Sequence, residues 1–313
     1  MTARPRLAVT LGDVRGIGPE IVVAAAADPR VRAAATLCLV GPALPGLAVD
    51  EPVGEWTPRS EATAGRLAGL AVDRAIELAR DGDVDGIVTA PLDKHALLAG
   101  GYDFPGHTEL LAARTGRPVA MMLAATRPNG AMANPLRVVL ATTHVPLRDV
   151  PRLLTHDAIV ATAAVTRRGL REWFGIEQPR IALCALNPHA GDGGRFGRED
   201  DELLAPAARA AGLTGPLPAD TVFVRAMRGD FDAVIAPYHD VGMTAIKVAA
   251  FGSAVNVTLG LPFPRTSPDH GTALDIAGQG IADPSSMIEA IVLCAEIVER
   301  RRSAARRDAG SSS

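Results

Sequence analysis

Short apolar runs alternate along this chain with Ala-rich stretches whose apolar positions recur every three or four residues. That alternation predicts β and α units wound around a largely parallel sheet. Residues 7–11 read as a first strand, broken at Gly12-Asp13 and followed by a helix over 18–27. Residues 37–40 form a second strand stopped by Gly41-Pro42, 61–79 carry helical periodicity, and 86–89 make a compact strand ending at Ala90-Pro91. A helix over 107–114 is opened by Pro105-Gly106. Strands at 119–123 and 136–141 follow, with a polar turn at Arg127–Gly130 between them. The second half repeats the pattern: a helix over 157–174, strands over 181–185, 232–236 and 254–257, and a closing helix over 286–301. The tail from Arg307 should lack structure.

A chain of 313 residues exceeds the usual size of one core. With no internal repeat and no low-complexity linker, the α/β chain is expected to form two lobes that exchange segments. Residues 1–103 with 280–313 would build the first and 104–279 the second. Hydrophobic content of 48% with 21% charge suits a globular protein with a real core. The net charge of −3 is spread over mixed segments, and only 4% of residues are aromatic. Nucleic acid is therefore not the expected partner. No apolar run reaches a membrane span, and the start Met-Thr-Ala-Arg-Pro has no signal-peptide core. Three scattered cysteines, Cys38, Cys184 and Cys294, do not make a disulfide scaffold, and a reducing cytoplasm is the expected compartment.

Three of the seven histidines lie in dense polar motifs: Thr142-Thr143-His144-Val145-Pro146-Leu147, Asn187-Pro188-His189-Ala190-Gly191 and Tyr238-His239-Asp240-Val241-Gly242. Neutral imidazole ligates zinc and other borderline divalent metals, and three ligands with an open position make a catalytic geometry. Gaps of 45 and 50 residues exclude a zinc finger, so such a site would close only where separate loops meet. Each histidine taken singly is more readily a loop hydrogen bond or a satisfied core residue. Together they favour a site, because each motif follows a predicted strand, and ligands of open α/β sheets bind at the carboxyl ends of strands.

Other motifs add chemistry. Gly12-Asp13-Val14-Arg15-Gly16-Ile17-Gly18-Pro19-Glu20 does not have the spacing of a dinucleotide fingerprint and reads equally as a strand-to-helix turn. His107 and Thr108 open a helix, where free N–H groups favour phosphate or carboxylate; a capping box with Thr108 as cap is the equal alternative. Asp240 and Lys247 are the candidate catalytic groups, since a lysine in the apolar run 244–250 near a metal suits acid–base work. Asn256 offers a hydrogen bond and Arg265 a fork for an anionic group. The loop Asp269-His270-Gly271-Thr272-Ala273-Leu274-Asp275-Ile276 has small residues at close-approach positions that would wrap an adenine or ribose, although alone it reads as a helix-capping loop.

In this order, the motifs resemble the 4-hydroxythreonine-4-phosphate dehydrogenase (PdxA) family, from Gly12 to about Gly280. Gly106-His107-Thr108-Glu109, the three histidine motifs and Asn256–Ser267 carry the likeness. The resemblance implies a homodimer of two-lobed α/β/α subunits akin to the isocitrate and isopropylmalate dehydrogenases, with the active site in the interlobe cleft near the dimer interface. It implies that His144, His189 and His239 hold one divalent metal (Zn, Co, Mn or Mg). It also implies that His107, Thr108, Lys247, Asn256 and Arg265 contact an anionic, phosphorylated substrate. The loop of His270, Gly271, Thr272, Ala273, Asp275 and Ile276 resembles the one that binds NAD in those related dehydrogenases, so NAD or NADP is the implied cofactor. The implied chemistry is oxidation of the secondary alcohol of 4-phosphohydroxy-L-threonine to a β-keto acid, followed by decarboxylation.

The chain departs from the family pattern where Val14-Arg15 replaces a Pro-Ala pair, placing a flexible cation at the expected rim of the cleft. It also departs at Thr126–Pro135, which is longer than a tight turn. Loops on a rigid scaffold are where specificity changes. The alternative substrates implied by catabolic relatives are 4-phospho-D-threonate, 4-phospho-D-erythronate and a cis-dihydrodiol carboxylate. A metal-dependent hydrolase or aldolase is the rival class, separated by whether the protein binds NAD.

Overall fold

Most apolar runs become strands buried on both faces. The structure is a computed structural model describing residues 3–57, 60–126, 134–250 and 252–311. Its strands are β1 (Arg6–Thr10), β2 (Thr36–Ala43), β3 (Glu51–Glu55), β4 (Gly86–Thr89), β5 (Ala120–Ala125), β6 (Arg137–Leu140), β7 (Ile181–Cys184), β8 (Thr214–Leu217), β9 (Ala233–Ala236), β10 (Ala254–Leu259) and β11 (Arg265–Pro268). Every residue of β4, β7 and β9 is buried. That two-sided burial is why these segments read as unbroken apolar stretches rather than as an alternation.

The chain divides into two units, Met1–Arg117 with Leu261–Ser313, and Pro118–Gly260. The boundaries fall at 117/118 and 260/261 instead of the expected 103/104 and 279/280. Two packings explain the shift. The helix His107–Thr115 packs on the helix Glu61–Asp81, tied by Arg114 to Asp73 at 2.7 Å, and β11 pairs with β4. His107, Thr108, Arg265 and the 270–276 loop therefore belong to the first unit.

In the first unit the strand order is β3-β2-β1-β4-β11, all parallel. The helix Glu61–Asp81 starts at Ser60, whose hydroxyl accepts from the Thr63 N–H, and ends at Gly82 in the left-handed conformation. Its buried stripe, Ala64, Leu67, Ala68, Ala71, Val72 and Ala75, repeats with helical period. The closing helix, Ser285–Ser311, runs beyond the expected 301, so the tail from Arg307 is helical as far as Ser311. Arg302 accounts for part of that extension, donating to Asp85 at 2.7 Å and to the Ala3 carbonyl at 2.8 Å.

In the second unit the order is β10-β5-β6-β9-β7-β8. The pairings are parallel except that β5 runs antiparallel to both β10 and β6. Its core joins Leu123, Leu136, Val138, Val234 and Ile246. The segment around Lys247 is a helix, His239–Ala250, with Gly242, Ile246 and Ala250 buried at four-residue spacing. The polar turn Arg127–Gly130 and most of the Thr126–Pro135 segment lie outside the described residues. Among the described residues no helix is long and apolar enough to cross a membrane.

Candidate active site

In the first unit the polar motifs gather at the carboxyl ends of β1 and β4, whose last residues Thr10 and Thr89 are register partners. Both threonines are fully buried. Arg265, at 1% exposure, donates through Nη2 to Thr89 Oγ1 at 2.5 Å. Burial pushes its guanidinium down to about 9, opposed by Cys294 and Glu109, so it stays charged at neutral pH. His107 begins the helix His107–Thr115, and its Nε2 is buried with no hydrogen-bond partner among the described residues. Burial first, and the Arg265 charge second, hold the His107 imidazole well below the ordinary histidine value. A neutral imidazole thus stands near a buried cation.

Gly106, not Thr108, is the N-cap of that helix, and no side chain caps it. Thr108 sits inside the first turn, so the capping-box reading falls away. The helix entry presents its positive dipole end without a capping side chain.

The loop from Asp269 to Gly280 lies against the N-terminal turn. Ile17 N–H donates to the Thr272 carbonyl at 2.9 Å, and a Cβ on Gly16 would fall 2.6 Å from that oxygen. Glu20 accepts from the Gly278 and Gly280 N–H groups at 3.3 and 3.1 Å. Gly271 and Asp275 are exposed, His270, Thr272 and Ile276 are half-buried, and Ala273 takes a left-handed φ of 43°. His270 Nδ1 lies 3.1 Å from the Gly271 carbonyl. Left-handed backbone at a residue with a Cβ is strained and concentrates at functional loops. The Gly12–Glu20 motif therefore serves as a buttress for the candidate cofactor loop.

Arg15 is not the flexible cation expected at a cleft rim. Its Nε and Nη2 grip Asp13 at 3.1 and 2.7 Å, Asp13 being fully buried, and Glu61 and Asp93 stand at 3.7 and 3.8 Å. The cation is spent inside the fold on a buried carboxylate.

In the second unit, β6, β9 and β7 are neighbouring parallel strands, and each leads into one histidine motif. Leu140 of β6 is level with Ala236 of β9, which places the following loops side by side. The buried Thr142 hydroxyl donates to the Pro237 carbonyl at 2.7 Å and ties them together. The His144 and His239 rings consequently stand 5.4 Å apart between centroids, tilted by 46°. His239 is the first residue of its helix, and its Nδ1 lies 2.7 Å from Asp240 Oδ1. A carboxylate on Nδ1 fixes the ring and leaves Nε2 as the nitrogen that could ligate a metal. Lys247 is half-buried two turns along that helix. On β10, Asn256 keeps a buried Oδ1 with no hydrogen-bond partner among the described residues.

His189 does not join the other two histidines. Among the described residues no group of three or more His, Cys, Asp or Glu stands together in a metal-holding arrangement. His189 is exposed, and its ring lies 6.4 Å from that of Phe196. The turn carrying it is left-handed at His189 (φ 52°), Ala190 (φ 55°), Gly191 (φ 84°) and Asp192 (φ 46°). For a residue with a Cβ, this costs roughly 1–2 kcal/mol each.

Sequence reasoning missed two kinds of support. Thr10 and Thr89 lack any motif, being polar ends of apolar strands. Asp200, buried at 0% exposure, was hidden in the acidic run Glu199–Glu202, which reads as solvated surface.

The family profile described as "Pyridoxal phosphate biosynthetic protein PdxA" matches residues 34–294. The D-threonate 4-phosphate dehydrogenase of Cupriavidus necator is 42% identical over 95% of this chain and 98% of its own length. The 4-hydroxythreonine-4-phosphate dehydrogenase of Xanthomonas campestris pv. campestris is also 42% identical, over 95% of this chain and 99% of its own length. The crystal structure of the 4-hydroxythreonine-4-phosphate dehydrogenase of Klebsiella pneumoniae is similar at a TM-score of 0.77 and 37% identity, covering 94% of this chain and 99% of that one. Isocitrate dehydrogenase of Methylococcus capsulatus, at a TM-score of 0.50 and 18% identity over 96% of this chain and 88% of its own, shares the fold alone. By profile, by identity along almost its whole length and by fold, this α/β chain belongs to the PdxA family.

Proposed function

We propose that this protein is a metal-dependent dehydrogenase that oxidises the secondary alcohol of 4-phosphohydroxy-L-threonine to a β-keto acid, which then loses CO₂. The observation that carries the substrate class is the buried Arg265 beside a neutral His107 at an uncapped helix entry. A buried guanidinium with a hydroxyl partner and a nearby helix N-terminus is built to receive a phosphate or carboxylate. Thr108 lies in the same turn and offers its hydroxyl to that anion.

His144 and His239 fit a divalent ion as nitrogen donors, with Asp240 holding the His239 ring. Imidazole donors favour zinc or cobalt over magnesium, with manganese between them in ligand preference. When bound, such an ion supplies Lewis-acid polarisation of the substrate oxygens, and NAD or NADP supplies the hydride acceptor. Lys247 is placed on the helix of His239 to move the alcohol proton, and Asn256 offers its buried amide oxygen to a substrate donor. The loop of His270, Gly271, Thr272, Ala273, Asp275 and Ile276 is the seat for the dinucleotide.

One chain assembles two of the three histidines, and a second copy supplies the missing ligand in a homodimer. Light scattering of the purified protein should give the dimer mass, and metal content of the His189→Ala variant should fall without loss of fold.

A second reading has an observation of equal weight: the relative named D-threonate 4-phosphate dehydrogenase stands at the same 42% identity. Absorbance at 340 nm decides between them. Metal-reconstituted protein is offered NAD or NADP with 4-phosphohydroxy-L-threonine, 4-phospho-D-threonate, 4-phospho-D-erythronate or a cis-dihydrodiol carboxylate. The proposal requires the first to be turned over with the highest kcat/KM; preference for another overturns it.

A further inference from the structure

His189 stands on a turn that an L-chain does not hold unaided, with left-handed backbone from His189 through Asp192. The segment entering that turn is gripped by a buried carboxylate. Asp200 accepts from the Leu186 N–H at 2.8 Å with one oxygen and from the Asn187 N–H at 3.0 Å with the other. Beside it, Glu199 accepts from Asn187 Nδ2 at 2.8 Å. The far end is closed by the Phe196 N–H donating to the Gly191 carbonyl at 3.1 Å. Gly191 also has no room for a side chain, since a Cβ there would fall 2.9 Å from the Gly197 carbonyl oxygen.

A carboxylate that commits both oxygens to consecutive N–H groups fixes the direction of the chain at that point. Here the fixed point lies between the end of β7 and Pro188-His189. We propose that Asp200 is the positioning residue of His189, holding its turn so that the imidazole is presented to the metal. Asp200 acts through the backbone and does not itself ligate. The inference rests on reading His189 as a metal ligand.

The test is a cobalt(II) titration, followed by visible absorption, of the full-length protein and its Asp200→Asn, His189→Ala and doubly substituted forms. Asn at 200 keeps the shape but turns an amide donor toward one of the two N–H groups. Loss of an outer-shell partner typically weakens metal affinity by about 10- to 100-fold, and Asp200→Asn should do so. His189→Ala should weaken it at least as much. In the His189→Ala background the second substitution should then add nothing, a coupling that general loosening of the fold does not produce.

Asp200→Asn with wild-type cobalt affinity, or with the same loss in both backgrounds, overturns the proposal. If His189→Ala leaves cobalt binding unchanged, the ligand reading of His189 is what fails. Hydrogen exchange at the Leu186 and Asn187 amides then decides the role of Asp200, faster exchange in Asp200→Asn supporting it and unchanged exchange refuting it. Should Asp200→Asn not fold, Glu199→Ala removes the neighbouring tie and should give a smaller loss that again vanishes without His189.

Discussion

Arg265 donates through Nη2 to Thr89 Oγ1 at 2.5 Å, which links the first residue of β11 to the last residue of β4. The bond helps to fix the direction of a charged side chain inside the fold. Thr89→Val keeps the branched shape and removes the acceptor. Hydrogen bonds to charged groups are worth about 1.5–3 kcal/mol, and part of that should appear as a KM for phosphorylated substrate raised about tenfold. kcat should change less. A Thr89→Val enzyme with unaltered KM would show that the anion is held elsewhere.

His107 makes stability depend on pH in a defined direction. Its folded value lies below the unfolded value near 6.5, so the unfolded chain takes the proton first as pH falls. The stability it brings is whole above about pH 6.5 and drains away below that, by up to about 1.4 kcal/mol per pH unit. The melting temperature of the wild type should therefore drop more between pH 7 and 5.5 than that of His107→Asn. Equal drops would mean that the imidazole is not held neutral.

Arg15 separates a structural role from a specificity role. Arg15→Ala leaves the buried Asp13 carboxylate without its cation, and losing a partner of this kind costs about 3–5 kcal/mol when fully buried. Because Arg15 is 23% exposed, about 1–3 kcal/mol is the better figure after solvent screening. Thermal melting should register a fall of several degrees. The ratio of kcat/KM for 4-phosphohydroxy-L-threonine and 4-phospho-D-threonate should stay within about twofold, since the guanidinium faces inward. A changed ratio would restore Arg15 as a specificity residue.

The thiols should be silent. Cys184 and Cys294 are buried and pushed up to about 12 by that burial, and Cys38 is raised for the same reason. Thiolate is the reactive form, so native protein at pH 8 should give almost no colour with Ellman's reagent. Denatured protein should release three equivalents, matching the cysteines of the chain. Rapid labelling of the native form would refute the buried assignment.

The repeating apolar runs made the sheet legible because strands such as Gly86–Thr89 and Ala233–Ala236 are buried on both faces and need no side-chain partner to reveal them. β11 escaped notice for the opposite reason. Its residues Arg265, Thr266, Ser267 and Pro268 are all buried, yet composition marks them as surface. The helix His239–Ala250 was masked by its glycine and its lysine, although its buried positions keep a strict four-residue step. The histidine motifs stood out as candidates through their neighbours in sequence. Which rings meet was not legible, because that depends on strand adjacency and on a left-handed turn set by a carboxylate eleven residues away. Arg15 was misread as a free cation because nothing local reveals that Asp13 is buried beside it.

Neighbouring strands lie about 4.8 Å apart wherever they occur. The histidine motifs hang from β6, β9 and β7, three consecutive rungs of one ladder. For His144 and His239 the ladder therefore acts as a ruler, and the surface connections between those strands carry no metric duty. Lengthening a surface connection such as the one following Gly175 would leave the histidine spacing untouched, whereas a one-residue slip of β9 against β6 would displace His239 from His144 at once. Drift in this architecture is cheap along the perimeter and forbidden in the register.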